Sequence, residues 1–138
     1  MRARIRWADG MAFEGVAESG GTVTLDARPD HGGAGRGPSP METVLLALGG
    51  CTGMDVVSIL RKMRAPLEGL EIRVTAERAA DHPQVFTRIG LEYVFKGPGL
   101  DPAQVKRAVE LSQERYCSVA AMLRGVAEVS YTWHIDRS

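Results

Sequence analysis

The chain has 138 residues, 17 Lys+Arg against 17 Asp+Glu, two cysteines and a hydrophobic share of 44%. That length suits a single domain, expected over residues 1–138, and the ordinary mix of apolar and charged residues excludes global disorder. Zero net charge argues against nucleic acid or an anionic membrane as the main partner, since phosphate binding needs a Lys/Arg excess, and two cysteines are too few for a disulfide scaffold.

The N-terminal MRARIRW sets Ala3, Ile5 and Trp7 in alternation with Arg2, Arg4 and Arg6, the period-two pattern of a half-buried strand. It has no apolar region of the signal-peptide kind, so a reducing cytoplasm is the expected compartment. Asp9-Gly10 predicts a turn, 12–18 a second strand, Gly20-Gly21 another turn and 23–26 a third strand. Residues 28–39 then read as a long loop with four glycines and two prolines, a length that is usually functional or a linker.

A long helix follows. Ser39 is placed to cap it, Pro40 stands at its first position, and Glu42, three residues after Ser39, completes a capping box. The helical pattern continues to Arg64, roughly 35 Å, enough to cross a domain with a radius of gyration of about 14 Å. Its longest uncharged stretch, Val44 to Met54, is too short for a membrane span, which needs roughly 20 residues, so a buried core helix is expected. Two strands are predicted next, with Leu70, Ile72, Val74 and Ala76 on one face of the first and Val85, Ile89, Leu91, Tyr93 and Phe95 on one face of the second. Asp101-Pro102 opens an amphipathic helix that Tyr116-Cys117 interrupts, a short helical piece reaches Leu123, and Val129, Tyr131, Trp133 and Ile135 mark a last strand. The order βββ–α–ββ–αα–β predicts an α+β fold, antiparallel β-sheets wrapped around the long central helix.

The first half of that helix is apolar nearly all round, which implies burial on two sides. Gly49, Gly50 and Gly53 lie within it, each costing about 1 kcal/mol relative to Ala, and so they need a packing reason. A second copy of the chain, in a homodimer with this helix central to the interface, is the leading expectation; the alternative is that they admit a bulky side chain of the same chain. A lone cysteine on an apolar helix is ordinarily core. Cys51, however, shares its face with Asp55 and Ser58, and Cys117 stands where a short helix begins, a position that lowers a thiol pKa. The three histidines show no ligand spacing, so no metal site is expected.

The segment GPSPMETVLLALGGCTGMDVVSILRKMR and, downstream, SQERYCSVAAML resemble the OsmC/Ohr family, the osmotically inducible and organic hydroperoxide resistance proteins, in its OsmC-like branch. The resemblance covers essentially the whole chain. It implies an intertwined homodimer with active sites at the dimer interface, and reduction of organic (alkyl or fatty-acid) hydroperoxides with a dithiol such as dihydrolipoamide as reductant and no bound cofactor. Carried over by position, Cys51 matches the reacting cysteine and Cys117 the resolving one. The family also uses an arginine to support the thiolate and a glutamate to orient that arginine. Arg36 is the candidate arginine, ahead of Arg4, Arg6 and Arg28, and Glu42 the candidate glutamate, beside its reading as a helix cap. Asp55, one turn after Cys51, is expected to oppose thiolate formation if charged and unpaired. The rival reading is a non-catalytic dimer that binds an apolar small molecule or senses redox state through the same cysteines.

Overall fold

The computed structural model describes residues 1–138, which fall into two compact units, Met1–Leu46 and Ala47–Ser138. In the first, strands β1 (Ala3–Asp9), β2 (Ala12–Ala17) and β3 (Thr22–Leu25) form an antiparallel sheet in the order β1-β2-β3. Gly10, at a φ of 54°, supplies the left-handed residue of the first hairpin turn. β1 departs from expectation. The alternation is there, yet Ile5 and Trp7 are exposed, because this small sheet has no helix of its own unit laid over that face. Beyond β3 the glycine-rich segment is organised by buried Asp26, whose carboxylate accepts from the backbone N–H groups of Ala27, Ala34 and Arg36. Gly33 and Gly37 let the loop fold this closely: a Cβ on Gly33 would lie 1.8 Å from the Ala27 carbonyl oxygen.

Helix α1 (Pro40–Lys62) starts with the predicted box: the Ser39 N–H donates to Glu42 Oε1 at 2.9 Å and the Glu42 N–H to Ser39 Oγ at 3.2 Å. It ends two residues earlier than the pattern suggested, and Arg64 takes the left-handed conformation just beyond. By length and hydropathy alone α1 matches a membrane span, unlike the shorter Val44–Met54 stretch. Its buried residues are Leu48, Thr52, Val56 and Leu60, one stripe at a spacing of four, whereas Leu46 and Met54 are exposed. Within the chain the helix is therefore buried along one side, not two.

The second unit holds the sheet β4-β5-β6, with β4 at Gly69–Arg78, β5 at Phe86–Lys96 and β6 at Glu128–Asp136. Phe86, Ile89, Leu91, Tyr93 and Phe95 of β5 are the sheet's contribution to the core; Val85 falls outside the strand and is exposed, because the β4–β5 register shifts at Arg78 and brings Phe86 inward instead. β6 runs parallel to β5, not antiparallel as expected of the sheets. Its connection is a helical crossover and not a hairpin, and a crossover returns the chain in the same direction. That crossover comprises α2 (Pro102–Leu111), capped by the Asp101 side chain, then a π-helical turn over Ser112–Tyr116, then α3 (Ser118–Leu123). β4 also explains two of the helix glycines. A Cβ on Gly53 would stand 3.2 Å from Ile72 Cδ1 and one on Gly49 3.6 Å from Val74 Cγ2, so these two admit side chains of the same chain. Gly50 meets nothing within 4 Å.

Candidate active site around Cys51 and Cys117

Cys51 sits half-buried on α1, one turn before Asp55. Cys117 is delivered to it by the break in the second helical run. The π-turn ends with the Cys117 N–H bonded to the Ser112 carbonyl at 2.8 Å, and Cys117 itself is extended, at φ −73° and ψ 101°. Wider winding followed by an extended residue turns the side chain inward, where it is 2% exposed, before α3 begins. The two sulfurs and a carboxylate oxygen of Asp55 all lie within 4.8 Å of one another, and both cysteines are free thiols. Two sulfurs and one carboxylate are also one ligand short of the closed tetrahedral set of a structural zinc.

The start of a helix was expected to lower the Cys117 pKa. The Ala120 N–H does donate to Sγ, at 3.4 Å, but burial outweighs it. Burial pushes this thiol up to about 11, and the neighbouring Cys51 and Asp55 side chains add to the rise. Cys117 is thus a protonated thiol near neutrality. Such a group cannot be the attacking thiolate on its own, and the half-buried Cys51 is the better placed of the two to meet an incoming substrate.

Behind the pair lies a buried polar network that the sequence did not announce. Ser112 Oγ donates to Asp55 Oδ2 at 3.0 Å. Thr52 Oγ1 lies 2.7 Å from Ser112 Oγ and 2.6 Å from the Tyr93 hydroxyl. Gln113 Nε2 donates to Tyr93 at 2.6 Å and to Thr52 at 3.3 Å, while Gln113 Oε1 accepts from Arg124 at 2.7 Å. The direction of every hydroxyl follows by elimination. Ser112 spends its one proton on Asp55, so Thr52 donates to Ser112, and Tyr93 therefore donates to Thr52. The chain of hydroxyls points at Asp55, and Arg124 fixes its far end. A signal for this existed. Val105, Ala108 and Val109 set the core stripe of α2, and Ser112 and Gln113 occupy the next positions on it, where apolar residues would be routine.

The other two candidates lie in the first unit and are already engaged. Arg36 forms a hydrogen-bonded ion pair with Asp9, which holds the Asp9 carboxyl below and the guanidinium above its ordinary range. Glu42 is held by its capping bonds to Ser39, which lower its pKa. Among the candidates read from the sequence, Cys51, Cys117 and Asp55 are the ones whose reactive atoms meet.

A long helix and two small sheets, with one cysteine on the helix and a second on the crossover beside it, define a class of two-cysteine α+β proteins. A family model described as OsmC-like protein matches residues 32–132, and the chain belongs to that family. Protein YhfA of Escherichia coli K12 is 42% identical over 135 residues, covering 98% of both chains. Among solved structures, a hypothetical protein from Aquifex aeolicus is 28% identical, with a TM-score of 0.81 over 98% of this chain and 96% of its own. The fold is shared as well with an organic hydroperoxide resistance protein OsmC from Legionella pneumophila, at 16% identity and a TM-score of 0.70 over 96% of this chain and 94% of that one.

Proposed function

We propose that this chain is a thiol-dependent peroxidase of organic hydroperoxides that works as a homodimer in a reducing cytoplasm, as a single-domain member of its family. One observation carries the reading: Cys51 Sγ and Cys117 Sγ lie within 4.8 Å of each other, one half-buried and one buried. A rotamer adjustment brings sulfurs at that separation to the roughly 2.05 Å of a disulfide. The Cys51 thiolate attacks the outer oxygen of the O–O bond, an alkoxide leaves and is protonated to an alcohol, and Cys51 becomes a sulfenic acid. Cys117 then condenses with it, forming the Cys51–Cys117 disulfide and releasing water, and an external dithiol such as dihydrolipoamide restores both thiols by exchange.

Met54, Gly50, Gly53 and Val57 line an open groove of about 630 Å³ along the uncovered side of α1. Neither cysteine lines this groove, and it is the surface on which a second copy packs in the dimer; exposed Met54, three residues after Cys51, is the apolar neighbour that favours an alkyl or fatty-acid hydroperoxide over hydrogen peroxide. Arg36 and Glu42 enter this reading in the roles the family resemblance assigns them.

The test is consumption of cumene or tert-butyl hydroperoxide with dihydrolipoamide, comparing the wild type with Cys51→Ser. Turnover is expected in the wild type and lost in the variant. A wild type no faster than Cys51→Ser refutes the peroxidase reading and leaves the non-catalytic binding one.

A further inference from the structure

Resolving the sulfenic acid raises a chemical difficulty that the geometry answers. Cys117 must attack as a thiolate, yet it is 2% exposed, and burial holds its pKa near 11. At pH 7 its thiolate fraction is then roughly one in ten thousand. Solvent has little access to collect the proton. The ionisable groups close enough to act on Cys117 are Cys51 and Asp55 from α1 and the Tyr93 hydroxyl from β5. Tyr93 has its own pKa raised, by burial first, and its hydroxyl proton is committed to Thr52. Cys51 is the electrophile at that stage. Asp55 is the base left.

We propose that Asp55 is the proton carrier of the resolving step, taking the proton from the Cys117 thiol and handing it to the hydroxide that leaves Cys51. The step balances. The Cys117 S–H and Cys51 S–O bonds break, the S–S bond forms, the Cys117 sulfur is oxidised and the Cys51 sulfur reduced, and one water departs. Asp55 ends as it began. The separation of up to 4.8 Å is closed by a small side-chain shift or one bridging water, as is common before reaction partners tighten. Ser112 engages Oδ2, which leaves Oδ1 for the proton. The hydroxyl chain from Tyr93 through Thr52 to Ser112 holds the carboxylate in place.

The inference rests on the peroxidase reading, and one experiment separates the two. Reduced protein is mixed with one equivalent of cumene hydroperoxide and quenched over time, with the Cys51 sulfenic acid trapped by dimedone and the disulfide measured by mass spectrometry. In the wild type the disulfide is expected to form before the trap captures the acid. In Asp55→Asn the acid is expected to form and persist, as in Cys117→Ser, with disulfide formation slowed about 100-fold at pH 7, the low end of general-base effects. That slow rate should climb about tenfold per pH unit toward pH 11, because hydroxide must replace the carboxylate. Asp55→Glu, which keeps the base on a longer arm, should recover part of the rate and serves if the asparagine variant does not fold. Disulfide formation at the wild-type rate in Asp55→Asn, or a slow rate indifferent to pH, overturns the proposal; so does an Asp55→Glu variant no faster than Asp55→Asn. A wild type that forms no disulfide, together with a Cys117→Ser variant that forms no trappable sulfenic acid, overturns the peroxidase reading and this inference together.

Discussion

Replacing Tyr93 with Phe probes the network behind the cysteines with the least change of shape. The ring of Tyr93 is fully buried and stacks on Phe95 with centroids 6.2 Å apart, so the substitution keeps the packing and removes one oxygen. That oxygen donates to Thr52 and accepts from Gln113, both at 2.6 Å. Each neutral hydrogen bond contributes about 1 kcal/mol net, and stranding a buried partner costs about 1–3 kcal/mol. Gln113 Nε2 keeps only its 3.3 Å contact with Thr52, and Thr52 loses its donor. The expected loss is therefore about 2–3 kcal/mol, which for a chain of this length lowers Tm by roughly 6–12 °C. Urea unfolding should show a lower midpoint with an unchanged slope, since the exposed surface on unfolding is the same. Tyr131, half-buried with its ring edge-on to Tyr93 and outside the network, is the control; Tyr131→Phe should stay within about 0.5 kcal/mol. A Tyr93→Phe loss below about 0.5 kcal/mol would show that the hydroxyl chain does not hold this site together.

The raised pKa of Cys117 fixes a pH window for stability. The unfolded thiol releases its proton near 9 while the folded one keeps it to about 11, so between these values the unfolded state binds fewer protons and stability falls as pH rises. Urea midpoints of the reduced protein measured from pH 8 to 11 should fall, and Cys117→Ser should flatten the decline; an equally steep decline in that variant contradicts the assignment. The dimer is tested at Met54, which is 76% exposed in the single chain. Light scattering should give about twice 14.9 kDa for the wild type and the monomer mass for Met54→Asp, which places a charge in the α1 groove. A wild type at the monomer mass refutes the dimer.

The sequence by itself determined the elements and most of their ends. The Ser39–Glu42 box, the Asp101-Pro102 start and the alternation in β4–β6 are encoded within a few residues, and the structure places them as read. Two points of local reading changed because they depend on distant chain. Val85 yields its core position to Phe86 through a bulge set by pairing with β4, and the direction of β6 follows from the crossover that precedes it. The long helix shows the same limit. Its glycines were legible as a packing demand, but only the register of β4 revealed that Ile72 and Val74 meet two of them. For the site, the two cysteines stood out in the sequence, while their meeting did not. It depends on the π-turn over Ser112–Tyr116, which carries Cys117 inward to a partner on another helix. The Cys117 pKa shows why tertiary structure decides the chemistry. A helix start promised a lowered value from sequence position alone, and burial, a property of everything packed around the sulfur, reversed it.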